Sequence, residues 1–484
     1  VVYGQQKFPS PLPGPVLPKA DDVALAIYSR RFFLRRWKMK DHSSNLDRRE
    51  FLKATGMGLA GVSLAGLTIP SSLGAAEIKA PAVTPEKGAS LRLLRWSGFV
   101  KSDEQVWNAH TKKWEELTGN KMLIEYVAWE DVRAKAAMAA SVGAGPDIVM
   151  GWYDDPHLYS NKLIDVSDIA EYLGKKYGGW YPVFHAYGYS PTLRRWVGIP
   201  IGAPAGVQNY RVSWFKEAGY EKPPEKLDEL LQCCKKLKAI GHPAGYSFGH
   251  AVGDGNGCCY WLLFSFKGKT IEADNKTIAI NRKETWDALE FGREFYEQLV
   301  PGVIGWLDPD NNKAFLSSQI SLTRNAVSIY YAAREQFPEV AKDMGHANLA
   351  MGPLGRPAQI DNVSLGFIFK HTRFPNAARH YLLFMMEQEQ YGPWINAMLG
   401  YLSQTLKAYE ALPVWTSDPM LTIFRDQPPR MLPHFYAGQP GPQSAAALAD
   451  YIVVDMFQEV VTGRRTPKEA ARTAEERLAR IYRT

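Results

Sequence analysis

Between residues 91 and 150 the sequence alternates strand-like and helix-like patterns, and no other feature restricts the possible folds as tightly. Residues 91–96 read as a strand. Ser102 and Gln105 have the spacing of a capping box, opening a helix that carries Val106, Trp107, Trp114 and Leu117 before Gly119 stops it. A second strand is predicted over 122–127 and a helix over 131–142. A Gly143-Ala144-Gly145-Pro146 turn then leads into a short apolar strand over 147–150. The order βαβαβ predicts an α/β fold built on a parallel sheet covered by helices.

In such sheets ligands collect at the carboxyl ends of the strands. Those ends read Trp96-Ser97-Gly98, Ala128-Trp129-Glu130 and Gly151-Trp152-Tyr153-Asp154-Asp155, each delivering an aromatic ring beside polar groups. Most tryptophans are core or rim residues. Three successive strand ends with the same feature nonetheless make Trp96, Trp129 and Trp152, with Asp154, candidates for a ligand site. Further on, residues 196–204 read as a strand leaving this first unit through a crossing marked by glycine and proline, and Asn209-Tyr210-Arg211 continues it into a new region. A helix over 227–239 puts Leu227, Leu230, Leu231, Cys234 and Leu237 on one face, fit to pack on a second sheet. The tail carries a capping box at Thr466 and Glu469 and an apolar stripe of Ala470, Ala474, Leu478 and Ile481.

Near the start, Asp47-Arg48-Arg49-Glu50-Phe51-Leu52-Lys53 precedes a weakly apolar, glycine-studded run and a small-residue exit at Gly74-Ala75-Ala76. This is the layout of an export signal, and the pair Arg48 and Arg49 resembles the twin-arginine type. The apolar stretch is short for a bilayer span of ~20 residues and is diluted by Gly56, Gly58, Gly61 and Gly66. Residues 39–76 are therefore expected to be a signal peptide. Residues 1–38, rich in proline and preceding the first methionine, Met39, are expected to be an upstream extension absent from the cellular protein or a disordered arm. The chain holds 57 Lys+Arg against 50 Asp+Glu, and residues 1–76 contain 11 of the first and 5 of the second, leaving 46 against 45. A nearly neutral remainder removes the footing for a nucleic-acid or anionic-membrane partner.

Gly245-Tyr246-Ser247-Phe248-Gly249 matches the nucleophile-elbow pattern of serine hydrolases, with His250 adjacent and Asp254 close behind. That motif needs a helix leaving the serine. Here the segment runs into Gly253-Asp254-Gly255-Asn256-Gly257, read as a glycine-rich loop facing a cleft. An exported hydrolase using Ser247 is the alternative reading. Asp308-Pro309-Asp310-Asn311-Asn312 begins like a calcium loop but has Lys313 where the turn glycine belongs and Gln319 where the bidentate glutamate belongs. It reads as a solvated acidic turn, and neither a metal nor a cofactor is expected. Four cysteines occur as the pairs Cys233-Cys234 and Cys258-Cys259. An oxidising compartment permits one bridge between the pairs, with Cys234 to Cys259 the favoured connection.

The order of several passages resembles the extracellular solute-binding proteins of bacterial ABC importers, in the family that includes maltose-type and other sugar receptors. The passages are Gly145-Pro146-Asp147-Ile148-Val149, Gly198-Ile199-Pro200 followed by residues 209–219, residues 313–322, Phe374-Pro375-Asn376-Ala377-Ala378-Arg379, and the tail from Thr462-Gly463-Arg464. The resemblance implies a two-lobed periplasmic binding protein fold, type II and maltose-binding-protein-like, with a hinge crossed more than once. One lobe would hold 77–200 with about 351–400, the other 201–350 with about 401–484. It also implies a periplasmic, non-enzymatic receptor whose partners are a small ligand, the importer's permease subunits and the export machinery. A sugar needs flat apolar faces for its C–H surfaces and planar amides or carboxylates for its paired hydroxyls. From loop position the candidates for stacking are Trp96, Trp129, Trp152, Trp261 and Trp306. Asp154, Asp254, Asn256, Asn325 and Asn362 would supply hydrogen bonds, with Asn209 beside the hinge. At Asn325, where relatives often place an aromatic ring, a polar side chain stands. A receptor for an anionic ligand would instead require arginines in the cleft.

Overall fold

The computed structural model describes residues 78–483, so Arg48, Arg49 and the segments 1–38 and 39–76 lie outside the described residues. In chain order the strands are β1 (Ser90–Trp96), β2 (Lys121–Val127), β3 (Ile148–Trp152), β4 (Tyr189–Ser190), β5 (Arg195–Trp196), β6 (Ile199–Gly202), β7 (Val207–Arg211), β8 (Leu322–Asn325), β9 (Met344–Ala347) and β10 (Ser364–Ile368). They form a five-stranded sheet in the order β2-β1-β3-β10-β6, a short β4-β5 hairpin, and a three-stranded sheet in the order β8-β7-β9.

The first sheet realises the expected βαβαβ run. β1 pairs in parallel with both β2 and β3, while β10 lies antiparallel to β3 and to β6. β3 is buried along its whole length, which is why it reads as a continuous apolar run rather than an alternation. A Cβ on Gly151 would lie 2.6 Å from the Phe367 ring, so the glycine is what lets β10 pack at this register. The helices Lys101–Thr118 and Asp131–Val142 both stop on a left-handed glycine, Gly119 and Gly143, whose N–H returns to the carbonyl of Glu115 and Ala139. The capping box expected at Ser102 is not formed. The helix starts two residues earlier, with Val100 at its cap, and the Ser102 hydroxyl instead donates to the Ala397 carbonyl at 2.7 Å.

In the second sheet β7 is central and antiparallel to both neighbours. The helix Leu227–Ala239 buries Leu227, Leu230, Leu231, Cys234 and Leu237, the face read from its spacing, and Cys233 besides. Thr466 caps the helix Pro467–Tyr482 through the reciprocal bonds with Glu469 that its spacing predicts. All four cysteines are free, buried thiols, and the bridge expected between Cys234 and Cys259 is not formed. Each pair sits inside an apolar helix face, where burial pushes the Cys234 and Cys259 thiols well above their ordinary range.

The chain passes from the first sheet to the second between β6 and β7, and returns between β9 and β10. The two passages are tied together: the Gly206 N–H donates to Asp361 at 2.8 Å, and the Gln359 amide donates to the Gly206 carbonyl at 3.3 Å. Among the described residues no helix is long and apolar enough to cross a membrane.

Candidate functional site

Beside these two passages lies a small pocket partly open to solvent. Its lining draws on both sheets and both passages: aromatic residues Phe99, Trp129 and Tyr401; charged residues Asp254, Asp308 and Arg324; the polar residues Asn325, Asn362 and Ser328; and the small or apolar residues Pro204, Gly253 and Ala326.

The aromatic wall begins at the strand ends. Trp129 stacks on Trp152 with ring centroids 3.8 Å apart, Trp96 lies 5.6 Å from Trp129 and 5.1 Å from Trp152, and Phe99 meets Trp129 edge-on at 5.2 Å. Tyr401 stacks on Phe99 at 6.2 Å. The three tryptophans expected at the ligand are thus brought together, but only Trp129 reaches the pocket. Trp96 and Trp152 are fully buried behind it and act as its support.

The opposite wall is built on the N-terminus of the helix Asp254–Ser265. The Asp308 carboxylate accepts the backbone N–H of Gly253 at 3.0 Å and of Asp254 at 2.7 Å, capping the positive end of that helix. Asp254 accepts from the Asn311 amide at 2.8 Å and lies 3.7 Å from the Arg324 guanidinium. Arg324 is otherwise occupied, pairing with Asp361 and donating to the Ile360 carbonyl at 2.6 Å. Two glycines give the guanidinium its room: a Cβ on Gly206 would come within 2.4 Å of it and one on Gly257 within 2.3 Å. Burial pushes the Asp254 carboxyl well above the usual carboxylate range, and the neighbouring Asp308 carboxylate pushes it further. Burial likewise lifts Asp308, to about 6, against the pull of the N–H groups it accepts.

A line of amides runs from the pocket into β7. Asn325 donates to Asn311 at 2.9 Å and to Asn312, and its carbonyl accepts the Asn209 side chain at 2.9 Å. Asn209 is therefore an inner support rather than a lining residue. Asn362 differs from all of these. It lies on the return passage, is 2 % exposed, and neither its amide nitrogen nor its oxygen has a hydrogen-bond partner. The Trp129 indole N–H is also unpartnered. A buried polar group left unmatched costs about 1–3 kcal/mol, so such groups on a pocket wall mark where a ligand's own polar groups belong.

Several expected residues lie elsewhere. Trp261 is core: its indole donates to the Ala350 carbonyl at 2.9 Å and its ring stacks on Tyr246. Asn256 is buried one turn into its helix and donates to the Val252 carbonyl at 3.1 Å. Gly253 to Gly257, expected to be a cleft-facing loop, instead leads straight into that helix's first turn. The reason is tertiary: Asp308 caps it from 54 residues away, and a Cβ on Gly255 would collide with the Gly249 carbonyl at 2.0 Å. Trp306 packs its ring on Gly245 and gives its carbonyl to the Ser247 hydroxyl at 3.1 Å. Asp154 is wholly buried among His434 at 3.3 Å and the Ser444 hydroxyl at 2.5 Å. Burial is the largest influence on its pKa and raises it, yet His434, Ser444 and His157 together outweigh burial and leave the group below the ordinary carboxylate value.

Ser247 has no catalytic surroundings. Its hydroxyl is turned to the Trp306 carbonyl, while His250 pairs with Asp455 at 2.7 Å and stacks on Tyr451. No helix leaves the serine either, so the elbow the motif requires is not built. Sequence reasoning missed Asp308, Arg324, Phe99 and Tyr401. Asp308 was read as a solvated turn, whereas it is 6 % exposed and holds a helix end. The only local signal for Arg324 was its place beside Asn325.

The family model of bacterial extracellular solute-binding proteins matches residues 109–423. A probable ABC transporter-binding protein of Deinococcus radiodurans is 24% identical over 393 residues, covering 76% of this chain and 88% of that protein. The GacH receptor of Streptomyces glaucescens, solved unliganded and with acarbose, superposes with a TM-score of 0.68 at 14% identity, covering 82% of this chain and 99% of that one. Maltose-bound MalE3 of T. maritima gives 0.68 at 18% identity, covering 81% and 99%. A solute-binding protein of Thermotoga lettingae bound with α-D-tagatose gives 0.67 at 18% identity, covering 82% and 100%. The fold is thus the two-lobed α/β arrangement of maltose-binding-protein-like receptors, and the chain belongs to the family of bacterial extracellular solute-binding proteins.

Proposed function

We propose that this protein is the substrate-binding component of an ABC importer, working in the periplasm after export through the signal at Arg48 and Arg49. It captures a sugar, oligosaccharide or polyol in the pocket between the two sheets, makes no covalent change to it, and presents it to the permease subunits. The observation that carries this reading is the pocket itself: an aromatic face at Trp129 opposite two carboxylates, with the Asn362 amide unmatched at its rim. A pyranose offers both a C–H face for the ring and paired hydroxyls for the amide. The acarbose, maltose and tagatose held by structurally similar receptors accord with it.

The working lobes are residues 77–200 with about 351–400, and 201–350 with the C-terminal part. The start of that last part is better placed with the first lobe, because the Lys407 N–H donates to the Gly179 carbonyl at 3.0 Å and the Tyr409 hydroxyl to the Met386 carbonyl at 2.6 Å. Hinge motion at the two tied passages then brings the pocket walls together, and a ligand shifts the open–closed balance by its differential affinity for the two states. Differential scanning fluorimetry of residues 77–484 against carbohydrates, polyols, amino acids and peptides tests the ligand class. A bound sugar or polyol stabilises by about 4 kcal/mol at a thousand times its dissociation constant. A shift produced only by amino acids or peptides overturns the assignment. Replacing Arg48 and Arg49 by lysine in a reporter fusion tests the route, with loss of periplasmic signal expected and full export contradicting it.

A further inference from the structure

The pocket's charges are unbalanced in one direction. Asp254 and Asp308 line it, and Arg324, the arginine on its wall, is already committed to Asp361 and to the Ile360 carbonyl. Asp254 receives only the far edge of that guanidinium, at 3.7 Å. Asp308 has backbone N–H groups on one side and is in no ion pair, although it is 6 % exposed. Glu130, next to Trp129, adds a third negative group close enough to raise Asp308 further. Among the described residues no other lysine or arginine lines the pocket. An anionic ligand would therefore face two carboxylates with no free cation to receive it. Buried carboxylates without a counter-charge are costly, and a ligand that brings the missing positive charge relieves that cost.

An acidic cluster alone would not define a ligand, but the Asn362 amide does so independently. Its donor and acceptor are both unpartnered, it is 2 % exposed, and it lies on the same wall, suited to a ligand carrying hydroxyls. The rings of Trp129, Phe99 and Tyr401 offer π faces that attract a cation as readily as they stack on a sugar. We infer that the pocket takes a hydroxylated amine, a sugar or cyclitol bearing a protonated amino group, with the ammonium held by Asp254 and Asp308, the ring on Trp129 and hydroxyls on Asn362. This rests on the carbohydrate reading above and narrows it.

The competing possibility is that a proton, not the ligand, neutralises the acid pair, in which case a neutral sugar fits as well. Isothermal titration calorimetry at pH 7 separates the two, using D-glucosamine, D-galactosamine, D-mannosamine and chitosan disaccharide, each against its hydroxyl counterpart glucose, galactose, mannose or cellobiose. N-acetylglucosamine serves as the uncharged control. The expected result is that at least one amine binds about tenfold or more tightly than its hydroxyl counterpart and its acetylated form. That preference disappears in Asp254→Asn, whose melt without ligand checks that it folds. Equal or tighter binding of the hydroxyl compounds by the native protein overturns this inference while leaving the carbohydrate reading standing. Absence of binding in both series removes the carbohydrate reading and this inference with it.

Discussion

Replacing Asn362 by alanine separates a binding role from a structural one, because the two predict opposite signs. In the protein without ligand, Asn362 holds a buried donor and a buried acceptor with no partner. Removing an unsatisfied buried polar group lifts a penalty of about 1–3 kcal/mol. The side chain borders the pocket, so its loss enlarges an existing space rather than leaving a sealed cavity. The unliganded melting temperature of Asn362→Ala should therefore stay level or rise. Binding should weaken. Two neutral hydrogen bonds to ligand hydroxyls are worth about 0.5–1.5 kcal/mol each, which is roughly a 5- to 150-fold loss of affinity in total. Calorimetry with the tightest ligand from the panel, beside scanning fluorimetry without it, reads both quantities on one preparation. A lower unliganded melt with native affinity would refute the reasoning, since it would make Asn362 a structural residue.

Three further outcomes are expected. Trp261→Ala should lower the unliganded melt by an amount equivalent to about 3–5 kcal/mol, as for other buried aromatics, because its ring and N–H serve the core; an unchanged melt with lost binding would return it to the site. Gly257→Ala should displace the Arg324 guanidinium, which would lie 2.3 Å from the new Cβ, and cost about 1–3 kcal/mol of stability together with ligand affinity; native behaviour in urea titration and calorimetry would show that Arg324 moves freely. The raised values of Asp254 and Asp308 mean that the folded state holds their protons more tightly than the unfolded chain does. Their stabilising contribution is fully present below the ordinary carboxylate pKa of about 4 and is lost as pH rises through the folded values, about 6 for Asp308. The native protein should lose stability relative to Asp254→Asn between pH 4 and pH 7, and parallel pH profiles of the two melts would contradict it.

The parts of the fold that are local in origin were legible beforehand. The βαβαβ run, the glycine stops at Gly119 and Gly143 and the Thr466 cap all follow from patterns a few residues long, and each stands where its pattern placed it. Trp129 was found because a strand end carried it to the pocket. Its two companions, Trp96 and Trp152, lie buried behind it and off the pocket wall, because sequence cannot say which of three adjacent rings is outermost. The helix Asp254–Ser265 was hidden for a different reason. Gly253, Gly255 and Gly257 argue against a helix on propensity, yet they are required by distant groups: the Asp308 carboxylate, the Gly249 carbonyl and the Arg324 guanidinium. Asp254 was named from its loop position, but its partner Asp308 was missed, since Asp308 becomes a site residue only by capping a helix that the local pattern denied. Asn362 was named from loop position, and the lack of partners that gives it meaning is visible only once its surroundings are folded.

The central claim is that a small solute held among Trp129, Asp254, Asp308 and Asn362 draws the two lobes together. Small-angle X-ray scattering of residues 77–484, without and with saturating ligand from the panel, measures this directly. The account predicts a smaller radius of gyration in the complex, and in Asn362→Ala a contraction that sets in only at a ligand concentration raised in proportion to its lost affinity. A native protein that calorimetry shows to be saturated, with a scattering curve identical to that of the free protein, would contradict it.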